Sequence, residues 1–135
     1  MAYSRFTDHE KQDQFLNETV PMNEQMIEQA GEGKWLMGTD DLTLLDVMIG
    51  ACWDFLFVQL QASANSECAA RLNLQQNSPR WWAYMERIRA HPKIANTCMR
   101  LEVAEKYATR ARGWPEGEKC QISLENLTGV FPDLP

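Results

Sequence analysis

The sequence predicts an all-α fold: a helical bundle followed by an irregular C-terminal tail. Three observations carry this. Apolar residues recur at helical spacing, and no stretch of useful length alternates apolar with polar residues as a strand would. Thr43 followed three residues later by Asp46 is a capping-box arrangement, and it opens a strongly apolar run. Ser78-Pro79 is a second helix start, with Ser at the cap and Pro at the first helical position.

Taken in order, Thr7-Asp8 begins a helix that Phe15 and Leu16 continue as far as Pro21. Proline is tolerated in a first turn, so a second helix is expected near Thr19, carrying Met22, Met26 and Ile27 inward. Residues 8–30 read equally well as one kinked helix or two. Gly31 and Gly33 end this part.

At the capping box the Thr43 hydroxyl is placed to accept the Asp46 amide, while the Asp46 carboxylate reaches back to the Thr43 amide. The carboxylate also suits the positive end of the helix dipole. Leu42 before the cap and Val47 after it are spaced for a hydrophobic staple. The helix that follows, 44–61, is apolar all round, with Val47, Met48, Ile49, Trp53, Phe55, Leu56, Phe57, Val58 and Leu60. A helix of that kind is expected to be buried. Its one polar oddity is Asp54: it is expected to face solvent at a groove or to pair with an arginine, for example one between Arg87 and Arg100, with an acid poised for catalysis as the remaining alternative.

Residues 62–77 are polar, with Ala69, Leu72 and Leu74 suggesting a short helix. After Ser78-Pro79, the residues Trp81, Trp82, Met85 and Ile88 give an apolar face. Pro92 is expected to open the next helix, on which Ile94, Cys98, Leu101, Glu105 and Ala108 form one row and Met99, Val103 and Tyr107 another. His91 stands where it could cap that helix, a structural role rather than a catalytic one. Gly113-Trp114-Pro115 ends it. The tail scatters Ile122, Leu124, Leu127, Val130, Phe131 and Leu134 among turn residues, too apolar to lie against nothing. The expected division is a helical domain over 1–113 and an irregular tail over 114–135, packing on the domain or on a partner.

At 135 residues, 44% of them hydrophobic and 24% charged, the chain has the profile of one globular domain. The apolar stretch 47–60 contains Asp54 and falls short of the roughly 20 residues a bilayer span needs. With no apolar signal region at the N-terminus, the cytoplasm is the default compartment, and an organelle such as the mitochondrion stays open. Cys52, Cys68, Cys98 and Cys120 show no redox or zinc spacing and read as reduced thiols, with Cys52 and Cys98 on apolar faces as small buried hydrophobes. No histidine pair or Cys/His cluster suggests a metal. Asn126-Leu127-Thr128 is a formal glycosylation sequon that means little without a secretory signal.

The net charge of −6 is unevenly spread: residues 1–46 hold ten acids against three bases, and residues 80–112 hold eight bases against three acids. The plain account is two solvated helix faces; the sharper one is a docking rim for an acidic partner, with Arg80, Arg87, Arg89, Lys93 and Arg100 on it. Nucleic acid is not indicated at a pI near 4.9.

Two segments carry a family likeness. One is Lys34-Trp35-Leu36-Met37-Gly38 followed by Leu42-Thr43-Leu44-Leu45-Asp46. The other runs over residues 79–92, where Pro79 is followed by Tyr84, Glu86-Arg87 and then Pro92. In this order they resemble the C-terminal domain of glutathione transferases, over roughly residues 20–110. Tyr84 stands where the family often has Trp. The resemblance implies an all-α bundle with Thr43 and Asp46 as folding residues. It carries over no catalytic residue, because the thioredoxin-like half that binds glutathione has no counterpart in this sequence. The family builds part of its electrophile site from this domain, so Trp53, Phe57, Tyr84, Tyr107 and Trp114 are candidates for a hydrophobic pocket, with plain core packing as the bland alternative.

The functional expectation is a non-catalytic interaction or structural protein, a subunit or docking module of a larger assembly. It would bind protein partners or itself, without metal, cofactor or membrane span. The alternative is the C-terminal portion of a glutathione transferase, with glutathione as its ligand, whose thioredoxin-like half is separate. A small-molecule carrier using the aromatic cluster is a third.

Overall fold

The computed structural model describes residues 8–112. Among these residues there are helices and turns and no strand. The helices are α1 (His9–Gln14), α2 (Val20–Ala30), α3 (Leu44–Gln59), α4 (Ser66–Leu72), α5 (Leu74–Asn77), α6 (Pro79–Ala90) and α7 (Leu101–Arg112). Expectations for the tail, for Trp114 and the helix stop around it, for Cys120 and for the sequon fall outside the described residues.

α1 and α2 form one unbroken helical run. They are joined by a π-helical segment, Phe15–Thr19, in which the Val20 amide donates to the Phe15 carbonyl. Pro21 accounts for it: a proline inside a helix lacks a donor and crowds the carbonyl four residues back, and a wider π turn relieves that crowding. No cap forms at Thr19. Asp8 caps the start, accepting the Lys11 amide at 3.2 Å. The inner face of α2 carries Val20 and Asn23, both buried, and Glu24, whose carboxylate is drawn onto α6. Met22, expected inside, is two residues and therefore about 200° away from Glu24. It is 59% exposed.

The core gathers around the C-terminal half of α3 and the inner face of α6, with Phe57, Val58, Trp81, Tyr84, Met85 and Ile88 buried, and with Trp35 from the loop before α3. α3 and α6 pack closely because Gly50 has no side chain: a Cβ there would sit 2.7 Å from Ile88 Cδ1. α7 lies on α3 as well. Its Ala104 carbonyl accepts a bond from Gln59 Nε2 at 3.4 Å, and Tyr107 meets Phe55 edge-on at 5.4 Å.

Two expectations about helices are corrected. α3 is apolar all round, yet it is not buried all round. Its N-terminal half leaves Leu44, Leu45, Val47 and Met48 on the surface, and Cys52, expected to be buried, is exposed with them. Among the described residues, α6 packs on the other side of that half, through Gly50 against Ile88. The second correction concerns Pro92, which opens no long helix: residues 91–100 run through turns and a short 3₁₀ segment, Ala95–Thr97. The cause is Asp54. It ion-pairs with Arg89, and its other oxygen accepts the Met99 amide at 2.7 Å while Arg89 donates to the Met99 carbonyl at 2.8 Å. Both polar groups of residue 99 are thus taken by side chains, and a helix through it would need them itself.

Candidate functional site

Asp46 is fully buried at the start of α3, where the loop 31–43, α3 and α6 meet. One of its oxygens accepts the Thr43 amide at 2.9 Å and the Thr43 hydroxyl at 2.5 Å. The other accepts the Leu36 amide at 2.8 Å and the Tyr84 hydroxyl at 2.6 Å. Burial pushes the Asp46 carboxyl up, but hydrogen bonds from Thr43, Tyr84 and Leu36 outweigh it and hold the group below the usual aspartate range. Leu42 is half-buried against the core, and Val47 is 36% exposed.

Of the five residues considered for a hydrophobic pocket, the four described, Trp53, Phe57, Tyr84 and Tyr107, do not surround one space. Trp53 meets both Trp81, at 6.2 Å, and Tyr84, at 5.9 Å, while Phe57 meets Trp81 at 5.9 Å. These rings pack into the core between α3 and α6. Tyr107 is on the far side, against Phe55. Trp114 lies outside the described residues. A cleft of about 720 Å³ opens between the end of α2, the loop after it and α6, and Tyr84 is the one of these four that lines it.

That cleft is poorly equipped for chemistry. Burial first, and then the neighbouring Asp46, push the Tyr84 phenol far up, so it stays a donor to Asp46 rather than a base. The cleft's cations already have partners. Arg80 pairs with Glu24 and with Glu28, at 3.4 and 3.0 Å, and Lys34 pairs with Asp40. Arg87 donates to the Lys34 carbonyl and lies 4.2 Å over the Trp35 ring. Burial pushes the Cys68 thiol up to about 11, which leaves it un-ionised at neutral pH. No group of three His, Cys, Asp or Glu side chains among the described residues could hold a metal ion, and no single helix among them is long and apolar enough to cross a membrane.

Of the basic residues suggested for a docking rim, Arg80, Arg87 and Arg89 therefore serve contacts within the chain. Lys93 and Arg100 are exposed. His91 turns its ring onto Trp35, at 5.7 Å, and its Nδ1 accepts the Lys93 amide at 3.3 Å.

Two features escaped the sequence. Glu24 is the true cap of α6: its carboxylate accepts the Trp81 amide at 2.8 Å and the Arg80 amide at 3.4 Å, and the Ser78 hydroxyl donates to it at 2.8 Å. Ser78 makes no capping bond itself. A partner from another helix leaves no local signal. The other is the α3 stripe. On that helix Leu44 is 74% exposed and Met48 61%, while Val58, further along, is 1% exposed. A helix apolar on every side offers no contrast from which its outer face could be told.

Comparison with known proteins bears on the fold. No curated protein and no solved structure matches the chain. A family model described as glutathione S-transferase, C-terminal domain, matches residues 1–96. With the capped apolar helix and the Pro-initiated helix packed on it, this shows that the chain belongs to the glutathione S-transferase C-terminal domain family.

Proposed function

We propose that this chain is a non-catalytic interaction or structural module, a subunit or docking element of a larger protein assembly, and that it works through the N-terminal half of α3. The observation that carries the reading is the contiguous row Leu44, Leu45, Val47 and Met48, apolar and on the surface of a helix whose opposite side is core. Contiguous apolar surface of this kind marks a binding face more often than scattered residues do. Covering it returns about 25 cal/mol for each Å² removed from water. Lys93 and Arg100 supply positive charge that would steer an acidic partner more than hold it.

The engagement of the cleft's charged groups with one another, and the packing of Trp53, Phe57 and Tyr84 into the core, support a folding role for those residues rather than an electrophile site. The test is retention of a partner from extract of the source cells by the intact chain and by Met48→Asp. A protein retained by the first and lost with the second is expected. Identical retention by both, or saturable glutathione conjugation by the purified chain that a substitution within it removes, would overturn the reading.

A further inference from the structure

Between α6 and the loop after α2 lies a guanidinium without a counter-charge. Arg80, Ala83, Tyr84 and Arg87 recur at helical spacing, so they share one side of α6, and together they form one wall of the cleft. Ile27 and Glu28 at the end of α2, with residues 31–34, form the other. The charges around this space can be matched in turn. Arg80 pairs with Glu24 and Glu28, and Lys34 pairs with Asp40. Among the described residues Arg87 has no carboxylate partner. Its Nη2 donates to the Lys34 carbonyl, its Nη1 makes no hydrogen bond to those residues, and its Nε is buried without a partner. The rings of Trp35, at 4.2 Å, and Tyr84, at 5.5 Å, face the cation but bring no negative charge. A half-buried cation so placed gains most from an anion, and a guanidinium fork gains most from a planar one.

We infer that the cleft binds a small organic carboxylate, a singly charged acid with a short apolar body, and that Arg87 holds its carboxylate. Ile27, Ala83 and the Tyr84 ring supply the contact for the body, while the Tyr84 hydroxyl already donates to Asp46. The volume falls within the range of small-molecule sites, about 300–1,000 Å³. Glu28 and Glu32, also on the lining, disfavour a doubly charged ligand and so set a carboxylate apart from a phosphate. This site lies away from the exposed half of α3, and the inference neither rests on the interaction reading nor competes with it.

Phenylacetate is the probe. It is titrated into the isotope-labelled full-length chain at fixed ionic strength, and NMR follows the Gly31 and Gly33 amides and the Arg87 Nε–H. Saturable shifts at these groups are expected. Phenylacetamide, which has the same body and no charge, should bind about tenfold more weakly. Arg87→Lys keeps the charge without the fork and should weaken binding of the acid about tenfold. Should circular dichroism show that variant unfolded, Ala83→Phe decides: it sits at an exposed position of the cleft wall, obstructs the site with Arg87 in place, and should weaken the acid by a like factor. Equal binding of acid and amide, shifts confined to other residues, no saturation at millimolar phenylacetate, or undiminished binding by folded Ala83→Phe would each overturn the inference. Displacement of phenylacetate by an equal concentration of inorganic phosphate would overturn it in favour of a site for anions at large.

Discussion

Four donors converge on the two oxygens of Asp46, and they come from two places: the loop 31–43, through Leu36 and Thr43, and α6, through Tyr84. One side chain therefore starts a helix, pins a loop and orients a core tyrosine. Asp46→Ala leaves the Thr43 amide, the Leu36 amide and the Tyr84 hydroxyl unpaired in the interior and is expected to cost about 3 kcal/mol or more. Thr43→Ala should cost about 1 kcal/mol, and Asp46→Asn less than Asp46→Ala, since an amide oxygen still accepts. Denaturant midpoints check all three. The pH dependence follows from the direction of the shift. The folded carboxyl titrates below the unfolded one, so its contribution is fully present above about pH 4 and is lost as pH falls through the folded value. The gap in stability between wild type and Asp46→Asn should accordingly close on acidification and stay constant from about pH 5 to 8. The bond from the Thr43 amide to the Asp46 carboxylate was legible in the sequence because both partners lie within one turn, although the Thr43 hydroxyl, expected to accept the Asp46 amide, donates to that carboxylate. The bonds of Asp46 to Leu36 and Tyr84 were not, because they join residues far apart in the chain.

At the scale of elements, helices were legible and their ends less so. α3 and α6 announce themselves through a cap and a proline, whereas one local signal acts against expectation and two boundaries are set from a distance. Pro21 widens a helix without ending it, Glu24 rather than Ser78 caps α6, and the pair of Asp54 and Arg89 keeps residue 99 out of α7. Among the alternatives the sequence left for Asp54, the fold takes the pairing with an arginine between Arg87 and Arg100, and Arg89 is that arginine. Glu24→Ala should destabilise by about 1–2 kcal/mol, since it removes the acceptor for two amides at a helix N-terminus. Glu24→Gln should recover part of this in a denaturant titration. The α3–α6 contact gives a sharper test. Gly50→Ala drives a methyl into Ile88 Cδ1 and is expected to cost about 1–3 kcal/mol despite the better helix propensity of alanine. Ile88→Val removes that carbon. The double variant should therefore be less destabilised than the sum of the singles, and strict additivity would show that the helices move apart freely.

For the whole molecule, the charge imbalance along the sequence is partly neutralised inside the fold. Asp13 pairs with Arg71 at 2.6 Å, and Glu24 and Glu28 pair with Arg80, so the acidic first helix lies against basic residues from later in the chain. Those pairs are exposed enough to orient more than to stabilise. The apolar helix α3 shows a different case, in which one sequence pattern serves two purposes. Its second half closes the core, and its first half keeps a surface. Substitutions in the two halves should therefore part company. Val58→Ala empties a site that is 1% exposed, and about 1–3 kcal/mol of stability should go with it. Met48→Lys places its charge at a position 61% exposed, where a lysine stem can lie on the helix with its ammonium in water. It should leave helical ellipticity unchanged and shift the unfolding free energy by less than about 1 kcal/mol, the range of an ordinary surface substitution. Partner retention, by contrast, should fall for Met48→Lys and persist for Val58→Ala at temperatures where that variant is folded. A Met48→Lys chain that unfolds as readily as Val58→Ala would mean that the first half of α3 belongs to the core of the folded domain, and the stripe would then have no claim to be a binding face.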